Sequence, residues 1–146
     1  MSVAGFVLTG GASRRFGSDK VLLPWPGGPT LLDHAVRRLA SVCADVTILS
    51  GRRSRHQGRG VPVVTDVAEG EAPLAGVLAA LEATAHPFGL FLAVDLPFVP
   101  EALLRHLVGL ASEGDAVVPA MAQGPEPLCA VYSRACAAAM RRRRSL

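Results

Sequence analysis

Lysine is almost absent from this chain: 14 of its 15 basic residues are arginine, and the exception is Lys20. Cysteine is scarce too. Cys43, Cys129 and Cys136 are odd in number and lack any C-x-x-C spacing, so neither a disulfide framework nor a thiolate metal cage is expected. They read as small apolar residues of a reducing compartment. Ser2–Leu8 has no basic segment before it and runs straight into glycines, which is not the pattern of a secretory leader. The longest uncharged apolar stretch, 83–94, contains His86, Pro87 and Gly89 and falls short of the roughly 18 residues a membrane helix needs. The expectation is a soluble, cytoplasmic protein with no membrane partner. Charged residues make up only 18% and apolar residues 50%, which excludes a disordered chain.

What is present suits one compact domain, because a chain of 146 residues can bury about 68–70% of its unfolded surface in a single core. The formal charge is +3, but Arg141, Arg142, Arg143 and Arg144 supply all of the excess, and the remainder carries −1. The run reads as a solvated tail, and a uniformly basic nucleic-acid binder is excluded. Fifteen glycines and 11 prolines without a triplet period punctuate many turns.

The apolar pattern predicts strands at 3–9, 46–50, 61–65, 88–94, 115–119 and 128–133. Between them, Thr30 is placed to cap a helix whose Leu31, Leu32, Ala35, Val36, Leu39 and Val42 repeat on one face. Pro73 opens an Ala/Leu-rich helix to about Ala85, Glu101 begins another to about Ala111, and the residues from Arg134 onward are helical in composition. Strands alternating with helices indicate βαβ units and a three-layer α/β domain with a mainly parallel sheet.

In such sheets ligands bind beyond the carboxyl ends of the strands, and three features fall there. The loop after Thr9 reads Gly10-Gly11-Ala12-Ser13-Arg14-Arg15-Phe16-Gly17-Ser18-Asp19-Lys20. Its glycines admit close backbone approach and an anion nest of N–H groups. Arg14, Arg15 and Lys20 add positive charge, and the array suits a triphosphate. It matches neither G-x-x-x-x-G-K-[ST] nor G-x-G-x-x-G, so kinase and dehydrogenase readings fail at the motif. The single lysine is apt here, since an ammonium serves phosphate as a flexible point charge. Asp95 in Ala93-Val94-Asp95-Leu96-Pro97 is a carboxylate directly after an apolar strand, a hard oxygen ligand for Mg²⁺ shared with substrate phosphates, or else a turn-former before Pro97. Asp66 could accept from a base or ribose, or form an Asx turn. His34, His56, His86 and His106 make no i, i+4 pair and read as surface or boundary residues. Ser13 lacks a nucleophile-elbow sequence, which disfavours covalent hydrolysis.

Residues 8–20 closely resemble the signature loop of the molybdenum cofactor guanylyltransferases, L-x-G-G-x-S-x-R-M-G-x-D-K, with Phe16 in place of the usual Met. Asp66 with Ala72-Pro73-Leu74-Ala75-Gly76 is similar to that family's D…GPLAG segment, Ala93–Phe98 to its C-D-M-P-F, and Pro125-Glu126-Pro127-Leu128 to its P-E-P-L. The resemblance implies a Rossmann-like α/β/α fold of the nucleotide-diphospho-sugar-transferase type. It implies one nucleotidyltransferase domain over 1–146, in a family whose domain continues past the equivalent of Leu146 with another strand and a helix. It implies transfer of GMP from GTP to the terminal phosphate of molybdopterin, with Mg²⁺ as cofactor and molybdoenzymes or cofactor-insertion proteins as further partners. Carried over by position, Leu8, Thr9 and Gly10 contact the nucleotide, Lys20 binds its phosphates, Asp66 holds the guanosine end, and Asp95 binds metal and nucleotide. Lys20, Arg15 and Asp95 are then the residues on which catalysis depends. Sister activities toward CTP or a sugar phosphate, or a nucleotide-binding relative of weakened catalysis, are the alternatives. Gly10-Gly11 favours the guanylyl reading, because the cytidylyl relatives carry Ala-Gly there.

Overall fold

The structure, a computed structural model, describes residues 2–9, 24, 26, 29–49, 61–64 and 73–144. Strand β1 (Val3–Leu8) is buried along its whole length, as a strand covered on both faces must be. Its side chains alternate: Val3 and Val7 join one core, while Ala4, Phe6 and Leu8 join the other.

Helix α1 (Leu31–Ala40) starts where the sequence says it should. The Thr30 hydroxyl accepts from the Asp33 backbone N–H at 3.1 Å and donates to the Asp33 carboxylate at 2.8 Å. Together these satisfy one orphan donor of the first turn and put negative charge at the positive end of the helix. Leu31, Leu32, Ala35 and Leu39 form its buried stripe. The chain continues through β2 (Asp45–Leu49), β3 (Val63–Val64), α2 (Pro73–Ala83), β4 (Phe88–Ala93), α3 (Glu101–Gly109) and a 3₁₀ turn at Ala111–Glu113. It ends with β5 (Ala116–Val117), β6 (Ala120–Met121), β7 (Gly124–Pro125), β8 (Cys129–Ser133) and α4 (Cys136–Arg144).

Six strands form one sheet in the order β3-β2-β1-β4-β8-β5. The first four are parallel, β8 runs antiparallel between β4 and β5, and β6–β7 is a separate hairpin. The hairpin turns at Ala122–Gln123 and enters β7 through Gly124 at φ 118°, a conformation a Cβ disfavours. The expected three-layer, mainly parallel α/β architecture is thus what forms, with α1 and α3 contributing to the core on one face and α2 and α4 to the core on the other. Burial also sets the cysteines: it pushes the Cys43 thiol up to about 12 and, as the largest effect, the Cys129 thiol to about 11. Both are therefore neutral thiols, as apolar fillers should be.

On the α2 side, Phe91 stacks on Phe6 with centroids 4.9 Å apart and meets Tyr132 edge-on at 5.8 Å. Gly89 lies under this group, and a Cβ there would sit 2.9 Å from Phe91 and 3.0 Å from Phe6. Gly89→Ala is expected to destabilise the fold by about 1–3 kcal/mol, the range for overpacking. Urea unfolding checks it, and a variant with the wild-type midpoint contradicts it.

Candidate active site

The parallel strands end level. Leu8 is in register with both Leu49 and Ala93, and Leu49 with Val64. The carboxyl ends of β1, β2, β3 and β4 therefore lie at one edge of the sheet. The chain builds β2 and β3 on one side of β1 and then crosses to β4 on the other, so the strand order reverses between β1 and β4. A crevice outside the carboxyl ends of the strands at such a switch point is where open α/β sheets bind ligands.

Thr9 closes the top of β1. Its N–H and its hydroxyl both donate to the Leu49 carbonyl, at 3.3 and 2.9 Å. This double tie fixes Thr9 to the end of the neighbouring strand. Leu8 is buried and Thr9 half-buried. Gly10, Arg15, Lys20 and Asp66 lie outside the described residues.

Across the switch point, the Val94 N–H donates to the Leu8 carbonyl at 3.0 Å and continues the β1–β4 ladder one residue past the strand. The chain then turns, with the Leu96 N–H donating to the Ala93 carbonyl at 3.2 Å. Asp95 stands at the top of this turn. Val94 and Val99 are buried on either side, whereas Asp95 itself is exposed. Its carboxylate has no hydrogen-bond or ion-pair partner among the described residues. On the far flank, the Ala93 N–H donates to the Leu128 carbonyl at 2.9 Å. That contact brings the Pro125–Leu128 segment beside the end of β4. Glu126 is turned inward there, accepting from the Leu128 N–H at 3.2 Å.

Helix α1 reaches the same segment. His34 Nε2 and Arg38 Nη1 both donate to the Pro97 carbonyl, each at 3.1 Å. His34 therefore carries a proton on Nε2. Arg38 Nη2 is buried and has no partner among the described residues, and burial pulls the Arg38 pKa below its ordinary value. An unsatisfied buried donor costs about 1–3 kcal/mol, so this arginine is an expensive way merely to fill space. Ser41, just past α1, donates to Glu101 at the start of α3. That hydrogen bond, and then Arg105, hold the Glu101 carboxyl below the usual carboxylate range. His34 and Arg38 are the pair that motif reading passes over; their i, i+4 spacing puts two donors on one helix face.

Leu8, Thr9 and Asp95 are thus brought to one edge, as their positions after successive strands require. The histidine at the other end of the sheet takes no part: His86 contacts Ser2 at 2.7 Å and Asp45 at 2.9 Å, below the starts of β1 and β2. No helix among the described residues is long and apolar enough to cross a membrane.

The MobA-like NTP transferase domain matches residues 5–145. A molybdenum cofactor guanylyltransferase from Desulfosudis oleivorans is 35% identical over 136 residues, covering 92% of this chain and 67% of that protein. The chain spans about two thirds of the length of the curated relatives it matches. Among solved structures, molybdopterin-guanine dinucleotide biosynthesis protein A from Archaeoglobus fulgidus superposes with a TM-score of 0.73 at 26% identity, covering 96% of this chain and 72% of that one. A Mycobacterium tuberculosis protein solved in complex with manganese shares the fold, with a TM-score of 0.75 at 22% identity, over 97% of this chain and 76% of that one.

Proposed function

The chain belongs to the MobA-like NTP transferase family, and we propose that it is a nucleotidyltransferase that moves GMP from GTP to the terminal phosphate of molybdopterin. A phosphate oxygen of molybdopterin attacks the α-phosphorus of GTP, a new P–O–P linkage forms, the α–β bond breaks, and pyrophosphate leaves. The observation that supports this reading is at the β1–β4 switch point: the end of β1 at Leu8–Thr9 is tied through the Leu8 carbonyl to Val94, the residue before Asp95, whose exposed carboxylate has no partner among the described residues.

Phosphoryl-type transfer asks for positioning and charge neutralisation rather than a covalent residue. Backbone groups of Leu8, Thr9 and Gly10 serve the nucleotide, Arg15 and Lys20 its phosphates, and Asp66 the guanosine end. One exposed carboxylate with no competing partner among the described residues fits a divalent cation that arrives with the phosphates and completes its shell with their oxygens and water. We assign that ion as Mg²⁺. When bound, it neutralises the charge that develops on the leaving pyrophosphate. Asp95 would hold the ion at the end of β4. Residues 1–146 are read as one domain for this work. The reaction is assigned to the cytoplasm, where the nucleotide is available, and cofactor-insertion proteins or molybdoenzymes are the expected recipients of the product.

Calorimetric titration with GTP and CTP in Mg²⁺, followed by pyrophosphate release with molybdopterin, tests this. Binding and release with GTP are expected. A preference for CTP, or no release with either, overturns the assignment.

A further inference from the structure

An exposed side chain that has no partner of its own can be aimed only through its backbone. Among the described residues Asp95 is in that position, and beyond the turn's own hydrogen bond from Leu96 to Ala93 the segment that carries it is pinned at three places. At one end the Val94 N–H is on the Leu8 carbonyl, and at the other Val99 is buried. The third pin is the carbonyl of Pro97, two residues after Asp95, which receives two N–H donors from a helix some sixty residues earlier in the chain, His34 and Arg38. Proline has no N–H of its own to anchor this stretch, so its carbonyl is the handle available. A carbonyl oxygen can accept two hydrogen bonds, and with two donors on it the peptide has less freedom to rotate.

We propose that His34 and Arg38 are positioning residues for the nucleotide's metal, holding the Pro97 carbonyl so that Asp95 is presented at a fixed angle to the crevice. The inference rests on the reading of Asp95 as the metal-binding carboxylate. It explains why α1 spends a guanidinium here although one of its nitrogens goes unsatisfied. It also explains why His34 must be a donor: a residue that only accepts could not hold a carbonyl.

The test uses the full chain, with Mn²⁺ as the probe, titrated by electron paramagnetic resonance with and without GTP. Wild-type protein is expected to bind Mn²⁺ in a GTP-dependent manner. The double variant His34→Ala/Arg38→Met is expected to weaken Mn²⁺ about 10–100-fold, the range for removing the groups that orient a metal ligand. GTP binding in EDTA should be unchanged, whereas in the presence of metal GTP binding should weaken along with the metal, because the coupling is reciprocal, and kcat should fall. His34→Gln, whose side-chain amide can still donate to the carbonyl, should keep the wild-type Mn²⁺ affinity. Amide exchange at Leu96–Val99 should quicken in His34→Ala alone, with β4 amides still protected, which reads the clamp even if the double variant folds poorly. Wild-type protein that binds no Mn²⁺ with GTP overturns the reading of Asp95 and the clamp with it. GTP-dependent Mn²⁺ binding that is the same in wild type and variants, or unchanged exchange at Leu96–Val99, overturns the clamp alone.

Discussion

Asp95→Asn is expected to lower GMP transfer by about 10²–10³-fold and to abolish what remains of its response to Mg²⁺. The substitution keeps the size of the side chain and removes only its charge, the property a divalent ion needs. Because Asp95 is exposed and has no partner among the described residues, the folded state loses little: a surface change away from packed features usually moves stability by less than about 0.5 kcal/mol. Loss of activity with an unchanged melting curve therefore separates a metal role from a turn-forming one. The measurement is pyrophosphate release across a Mg²⁺ titration, beside a thermal melt. A variant that keeps the wild-type rate and Mg²⁺ response removes Asp95 from the metal site. A variant that melts much earlier returns Asp95 to the turn.

Lys20→Ala is the second large effect, again about 10²–10³-fold in turnover. At about 4 Å and an effective dielectric near 20, a charge pair is worth about 4 kcal/mol, enough for a loss of that size when negative charge builds on the departing phosphates. Lys20→Arg is expected to recover only part of it, because a planar fork cannot move with the phosphate as an ammonium does. The composition offers a direct reading. Since Lys20 is the only lysine, reductive coupling of pyridoxal phosphate marks one side chain besides the terminal amine. GTP should protect that side chain. Full labelling at saturating GTP, or undiminished turnover in Lys20→Ala, removes it from the mechanism.

Much of this fold was legible because its signals are local. The Thr30 cap, the stripe of Leu31, Leu32, Ala35 and Leu39, and the all-apolar β1 each show within a few residues. The same holds for the placement of Leu8, Thr9 and Asp95, since topology puts whatever follows a parallel strand at one edge. The direction of β8 was not legible: a strand buried on both faces is apolar whichever way it runs, and only its pairing with β4 shows that it is antiparallel. The strand expected at 115–119 shortens to Ala116–Val117 at the edge of the sheet, where one partner and partial exposure give a weak pattern. The donors on Pro97 were invisible for another reason. Their acceptor is a backbone carbonyl, which every residue possesses, and it lies 59 and 63 positions away. Phe98 follows in the same segment and is 83% exposed.

Guanosine triphosphate labelled at its α-phosphorus, incubated with molybdopterin, Mg²⁺ and this chain, gives the most direct test of all. The account predicts that the label passes into a molybdopterin guanine dinucleotide, with one unlabelled pyrophosphate formed for each label transferred. Label that stays in GTP, or that emerges as free GMP without any dinucleotide, contradicts it.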